Sequence, residues 1–412
     1  MTLPIVLIAL KDQDDSLSEV IDSHINLDNE NIGIAYSGGL DSTAILKIAD
    51  NLIKNKIILS KSAVFKNLDE VDRDLVDEKY YMDLGLKDNH NVKHEYIDFE
   101  NDGPIKNIKD ALDIFDEPIS AINYYILKKI AGSLKKNGTK VLLSGIDGDS
   151  VVSHGNEKFM YLSHKFQINK MYKEAIKYAD FNQIKKPSFF RVMKRYFMIN
   201  KLPESILWLL FNKKQLHSYW ALKILNKSDS DVREINLLNR LKKHYGRFPL
   251  KQSPNPQKEH KYKISEGNWE NSIEDIDIVL SHYGVDHRMP FFDRRLMEFC
   301  LSVPVSLKLK NGINRYIFRK SMKRIIPDEI RYRSSKSDLS PPLINEIMSI
   351  GRDRLIDDIL NERTSLDKLI DKKELDKFIS DTLDKKTYRN AYFLIFQLIS
   401  LSKWMQKENL RW

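Results

Sequence analysis

Six consecutive residues, Ser37-Gly38-Gly39-Leu40-Asp41-Ser42, make up the segment of this chain best suited to hold a polyanion. Two adjacent glycines after an apolar run let backbone amides approach an anion closely, and the amides opening the next helix point into the same space. The Ser37 and Ser42 hydroxyls add donors. Asp41 repels an anion unless a cation lies between them, and Mg²⁺ bridging carboxylate and phosphate oxygens resolves that conflict. The segment lacks the Gly-Lys-Ser/Thr of a Walker loop. A tight strand-to-helix turn with a Ser or Asp cap would use some of the same residues. The order of all six in a strand-then-helix setting favours the anion cradle.

Three further segments carry chemistry-bearing side chains. Leu143-Ser144-Gly145-Ile146-Asp147-Gly148-Asp149 follows another apolar run and offers Asp149 as a second carboxylate to the same Mg²⁺. Alone it is an ordinary Gly/Asp turn; beside the first loop it gains meaning. His287 to Asp293 and Arg331 to Pro341 are the third and fourth. Lys336, in the last of these, would stabilise negative charge developing on an α-phosphate, although most lysines in polar loops are simply solvated.

These side chains need a scaffold, and the period of the apolar residues supplies one. Ile32 to Tyr36 reads as a buried parallel strand, followed by a helix with Ile45, Leu46, Ile48, Ala49, Leu52 and Ile53 on one face. Ile57 to Phe65, His94 to Phe99 and Lys140 to Ser144 read as strands; Asp69 to Leu84 and Tyr124 to Leu134 read as helices. This alternation predicts an α/β fold with a doubly wound parallel sheet, whose ligands bind at the carboxyl ends of the strands. The expected organisation is an N-terminal extension over residues 1–30, an α/β core over 31–155 that carries the anion cradle, and a mainly helical part over 156–412. Residues 252–271, polar and holding two prolines, read as a mobile loop, and Arg389 to Met405 as an apolar closing helix.

Composition excludes several classes. Hydrophobic residues make up 42% and charged residues 30%, as in an ordinary globular protein. The one cysteine, Cys300, rules out an internal disulfide, a Cys-rich zinc site and an N-terminal cysteine nucleophile, and its apolar surroundings suggest no chemistry. Neither Met1 to Leu10 nor Ile206 to Phe211 has the length of a membrane span, so a cytoplasmic enzyme without membrane attachment is expected. Residues 1–155 hold 17 Lys+Arg against 27 Asp+Glu, and the remainder 50 against 31. A basic half can serve a nucleic-acid partner, but lysines scattered among acids fit solvated helices better, and nucleic acid is not expected as the partner.

In order and wording the four motifs resemble the synthetase domain of the asparagine synthetase family, adenylating amidoligases among the PP-loop ATP pyrophosphatases. The resemblance covers about residues 30–345. It implies that Ser37, Gly38, Gly39, Asp41 and Ser42 hold pyrophosphate and that Tyr36, Val64, Ser144 and Gly145 lie near the adenosine of ATP. It further implies that Asp41 and Asp149 ligate Mg²⁺ and that Lys336 steadies an acyl-adenylate. The fold implied is that of the adenine nucleotide alpha hydrolases. The activity implied is attack of a carboxylate on ATP, giving AMP and pyrophosphate, then amide formation with ammonia or an amine. Asp147 to Gly155, Pro290 to Leu296 and Lys336 to Pro341 are worded most like the branch containing lasso-peptide macrolactam synthetases. Asparagine synthesis, macrolactam closure on a peptide side chain and other amides all stay open.

Two departures from the family pattern stand out. Position 2 is Thr2 rather than a cysteine, and only about 30 residues precede the first loop, so glutamine hydrolysis is not expected on this chain. The amine would come as free ammonia, from a separate glutaminase or other donor protein, or within the substrate. Ile146 stands where asparagine synthetases carry a glutamate and β-lactam synthetases a tyrosine; it cannot accept a proton, which leaves His154 as the candidate base. The competing readings are a PP-loop ligase acting on tRNA and a nucleotide-binding subunit without catalysis.

Overall fold

A computed structural model describes residues 16–25, 31–65, 78–99, 102–210, 223–225, 240, 243, 251–265, 268–334, 338–361, 364, 366–385 and 390–409. Strand β1 (Ile32–Ala35) leads through the glycine loop into a helix, Leu40–Leu52. With α1 taken as residues 16–25, that helix is α2. Then follow β2 (Ile58–Val64), α3 (Lys79–Leu86), β3 (Val92–Asp98), α4 (Ile108–Phe115), α5 (Tyr124–Lys136) and β4 (Val141–Ser144). The short helix α6 (Gly148–Val152) carries Asp149, and α7 (Glu157–His164), α8 (Ile168–Phe181) and, further along, α9 (Pro256–Ser265) follow it.

The sheet is parallel throughout, in the order β3-β2-β1-β4-β5. Its fifth strand, Asp286–Arg288, comes from the part of the chain expected to be mainly helical, and sequence reasoning missed it. Three polar residues carry no strand period, and β5 exists because its backbone completes β4, opposite Val141 to Leu143. The sheet therefore crosses the boundary expected at residue 155.

Alternation along β1 explains the two layers of helices. Ile32, Ile34 and Tyr36 face one core with Ile45 and Leu46 of α2, Leu143 of β4 and Phe291. Gly33 and Ala35 face the other. A Cβ on Gly33 would come within 2.7 Å of the Leu134 side chain, so α5 packs directly on the strand there. That second core is the larger. It holds α4, α5, α10 (Asn268–His282) and the C-terminal helices, including Asn390–Lys407, the expected closing helix.

Residues 252–271 were expected to form a loop, yet Pro256–Ser265 is helix α9. Pro256 is its first residue, where proline's missing N–H costs nothing. Glu259 and His260 of α9 are buried although both are polar, so an apolar stripe could not have revealed it. Of the helix expected over 69–84, residues 69–77 lie outside the described residues.

Candidate active site

The strand order reverses between β1 and β4, so the loops leaving their carboxyl ends sit side by side at the switch point of the sheet. Two glycines show how closely they pack. A Cβ on Gly145 would fall 2.8 Å from the Ser42 amide nitrogen and 3.0 Å from the Asp41 carbonyl carbon. One on Gly148 would fall 2.9 Å from Asp41 Cγ and 3.0 Å from a Phe291 ring carbon. Gly38, at φ +71°, turns the first loop with its α-carbon against the Met82 backbone. Absent side chains thus bring the first, second and third motifs into contact.

Within the first loop the hydroxyls are organised. The Ser42 hydroxyl receives the Ser37 amide at 3.2 Å and lies 3.1 Å from Ser37 Oγ, and Thr43 donates to the Gly39 carbonyl at 2.7 Å. Helix α2 starts at Gly39 without a side-chain cap. The Gly39 amide donates to Ser37 Oγ at 3.4 Å, and without a side-chain cap the positive dipole end of the helix is suited to phosphate oxygens.

Asp41 is held by Arg315, whose Nη1 donates to both carboxylate oxygens at 2.7 Å. Motif reading did not find this arginine. It sits at φ +48°, a left-handed conformation that costs an L-residue about 1 kcal/mol, and caps helix Tyr316–Ser321. Arg319, one helical turn on, donates to the Asn314, Arg331 and Arg333 carbonyls. Burial, with the neighbouring Arg315 charge, pulls its guanidinium down to about 9. The four-residue spacing of Arg315 and Arg319 was the available signal.

The other expected residues are placed as follows. Asp149 lies on α6, with His154 Nε2 3.6 Å from its Oδ2; the His154 side chain is 42% exposed. Ser144 Oγ is 2.7 Å from His287 Nε2 on β5, and burial holds the His287 imidazole down at about 4, hence neutral. The Tyr36 side chain points into the core, its hydroxyl donating to the Met82 carbonyl at 3.2 Å, and burial raises its pKa. Its amide donates to the Lys61 carbonyl at 2.9 Å and its carbonyl receives the Ser62 hydroxyl, so Tyr36 is engaged within the protein at both backbone and side chain. Val64 is buried at the end of β2, and Ile146 packs against the larger core. Lys336 lies outside the described residues.

The donor set fits Mg²⁺ shared with a nucleotide. Among the described residues no cluster of three or more His, Cys, Asp or Glu side chains forms a closed metal site. Asp41, packed against the start of the Asp149 helix, offers one or two carboxylates beside the glycine loop, and Mg²⁺ is usually held by one or two carboxylates together with phosphates.

Among the described residues no helix is long and apolar enough to cross a membrane. The chain matches the family model for asparagine synthase over residues 13–406. It is similar to a Bacillus subtilis protein, asparagine synthetase [glutamine-hydrolyzing] 3, at 31% identity over 110 residues, 26% of this chain and 18% of that protein. A Gallus gallus asparagine synthetase [glutamine-hydrolyzing] is 32% identical over 97 residues, 22% of this chain and 17% of the other. The matched stretches thus span under a fifth of those relatives, whereas the family model takes in nearly the whole chain. The chain belongs to the asparagine synthase family.

Proposed function

We propose that this chain is an ATP-dependent ligase that forms a carbon–nitrogen bond by adenylating a carboxylate and passing the acyl group to ammonia or an amine. The observation that carries the reading is the contact of the two loops at the β1/β4 switch point, with Asp41 against Gly148 and Ser42 against Gly145. Ser37, Gly38, Gly39, Ser42 and the first amides of α2 would bind the β- and γ-phosphates, which become pyrophosphate. Asp41 and Asp149 would hold Mg²⁺, whose charge offsets that of the phosphates. Arg315 would exchange Asp41 for a phosphate oxygen as the nucleotide enters, and Lys336 would steady the α-phosphate. Fixed cations and amides stabilise the charge that develops as the carboxylate oxygen attacks the α-phosphorus.

His154 is assigned the proton of the attacking amine, because Ile146 is apolar and packed away. The acid is either free aspartate or a peptide side chain. The amine is ammonia, delivered free or by a separate protein, or a group of the substrate itself. Purified protein with Mg·ATP and a panel of acids is expected to show carboxylate-dependent pyrophosphate exchange and to form AMP. ADP and phosphate as products would refute the adenylation reading, as would full activity in Asp41→Asn for the metal assignment.

A further inference from the structure

Behind the Asp149 helix lies a group of buried ionisable side chains with no part in the chemistry above. His260 of α9 is 1% exposed, Glu157 2% and Lys308 2%. Lys308 Nζ lies 2.7 Å from His260 Nδ1, and His260 Nε2 lies 3.0 Å from the Ser150 carbonyl oxygen. These contacts dictate the tautomer. An ammonium can only donate and a carbonyl can only accept, so Nδ1 carries the lone pair and Nε2 the proton. Burial agrees, since it keeps His260 neutral, down at about 4.

A second grip lies three residues along α9. Lys263 Nζ pairs with Glu157 Oε1 at 2.8 Å. The other Glu157 oxygen receives the Ser153 hydroxyl at 3.0 Å, and Ser153 Oγ receives the Gly155 amide at 3.0 Å. Helix α9 therefore holds α6 and its exit turn at two points. The turn itself is sharp, with Ser153 at φ +63° and Gly155 at φ +75° against Leu309. Burying a lysine, a histidine and a glutamate here costs more than apolar packing of the same volume would. Apolar packing, however, fixes no hydrogen-bond direction, and a five-residue helix has few bonds of its own to hold it.

We propose that His260 is a positioning residue, whose Nε2–H bond to the Ser150 carbonyl sets the pose of the adjacent Asp149 for metal-bound nucleotide. This rests on the assignment of Asp149 as a Mg²⁺ ligand. Lys308 holds the ring in the donating tautomer, and Lys263 with Glu157 holds the turn that follows.

The test is calorimetric binding of α,β-methylene ATP to the full chain, with EDTA and with Mg²⁺, alongside the melting temperature. His260→Ala is expected to lose about tenfold in the Mg²⁺-dependent gain in affinity, with metal-free binding unchanged. His260→Gln, whose side-chain amide can reach the same carbonyl, should keep most of that gain. An undiminished gain in His260→Ala overturns the proposal. So does an equal loss in His260→Gln, which would mark a packing role only. If His260→Ala does not fold, Lys308→Met decides: a smaller loss of the same sign supports the latch, and an intact gain overturns it. A native protein with no Mg²⁺-dependent gain refutes the metal site itself, a separate failure from that of His260.

Discussion

Replacing Arg315 with methionine tests how the two loops are held before nucleotide binds. The substitution keeps side-chain length and removes both hydrogen bonds to Asp41. Breaking a buried ion pair on one side costs about 3–5 kcal/mol, because the remaining charge is left without compensation. The two side chains are 11% and 15% exposed, and that partial access to water selects the lower end, about 3 kcal/mol. For a chain of this size a melting temperature falls by roughly 2 °C per kcal/mol, so a drop on the order of 6 °C is expected. Removing the carboxylate as well should recover part of the loss. In a cycle of Arg315→Met, Asp41→Asn and the double variant, followed by urea unfolding, a coupling of about 1–3 kcal/mol is expected. If the single losses add to within about 0.5 kcal/mol, the pair does not hold the loops and the reasoning fails.

Other consequences follow from the same contacts. Gly145→Ala should cost about 1–3 kcal/mol and weaken nucleotide binding, since its Cβ would meet backbone rather than a flexible side chain. Gly132→Ala in the middle of α5, where the nearest atom would be a Tyr283 ring carbon at 3.5 Å, should be neutral or stabilising, and the pair of melting curves checks both. Burial holds His94, His260 and His287 at about 4, below their ordinary value of 6.5. Their neutral forms therefore add stability that is complete above pH 6.5 and is lost as pH falls through about 4. Urea midpoints should decline between pH of about 7 and about 4.5; a constant midpoint would contradict this. Burial pushes the Cys300 thiol up to about 12, so an aromatic disulfide reagent should titrate one thiol in denaturant and none in the native protein.

Much of the fold was legible because the sheet's inner strands are short apolar runs ending at glycines. Ile32 to Tyr36 and Lys140 to Ser144 match β1 and β4 to within a residue at each end. Both faces of those strands are covered, so nearly every residue had to be apolar. Strand β5 and helix α9 were not legible for the opposite reason. Their residues are polar, and each is stabilised by a neighbour distant in sequence: the β4 backbone for Asp286 to Arg288, and Ser150 with Lys308 for His260.

The sequence by itself determined the chemistry available. Consecutive glycines, two serines and an aspartate after a buried strand are the residue types an anion cradle with a bridging cation would use, and a second Gly/Asp turn offers another carboxylate. Spacing along the chain reaches no further than one loop and the helix it opens. Only the tertiary structure decided that Gly145 and Gly148 admit the first loop, that Tyr36 faces inward, and that Asp41 pairs with Arg315 some 270 residues away. Those outcomes depend on the order in which parallel strands assemble, which is set by the summed packing of both faces of the sheet.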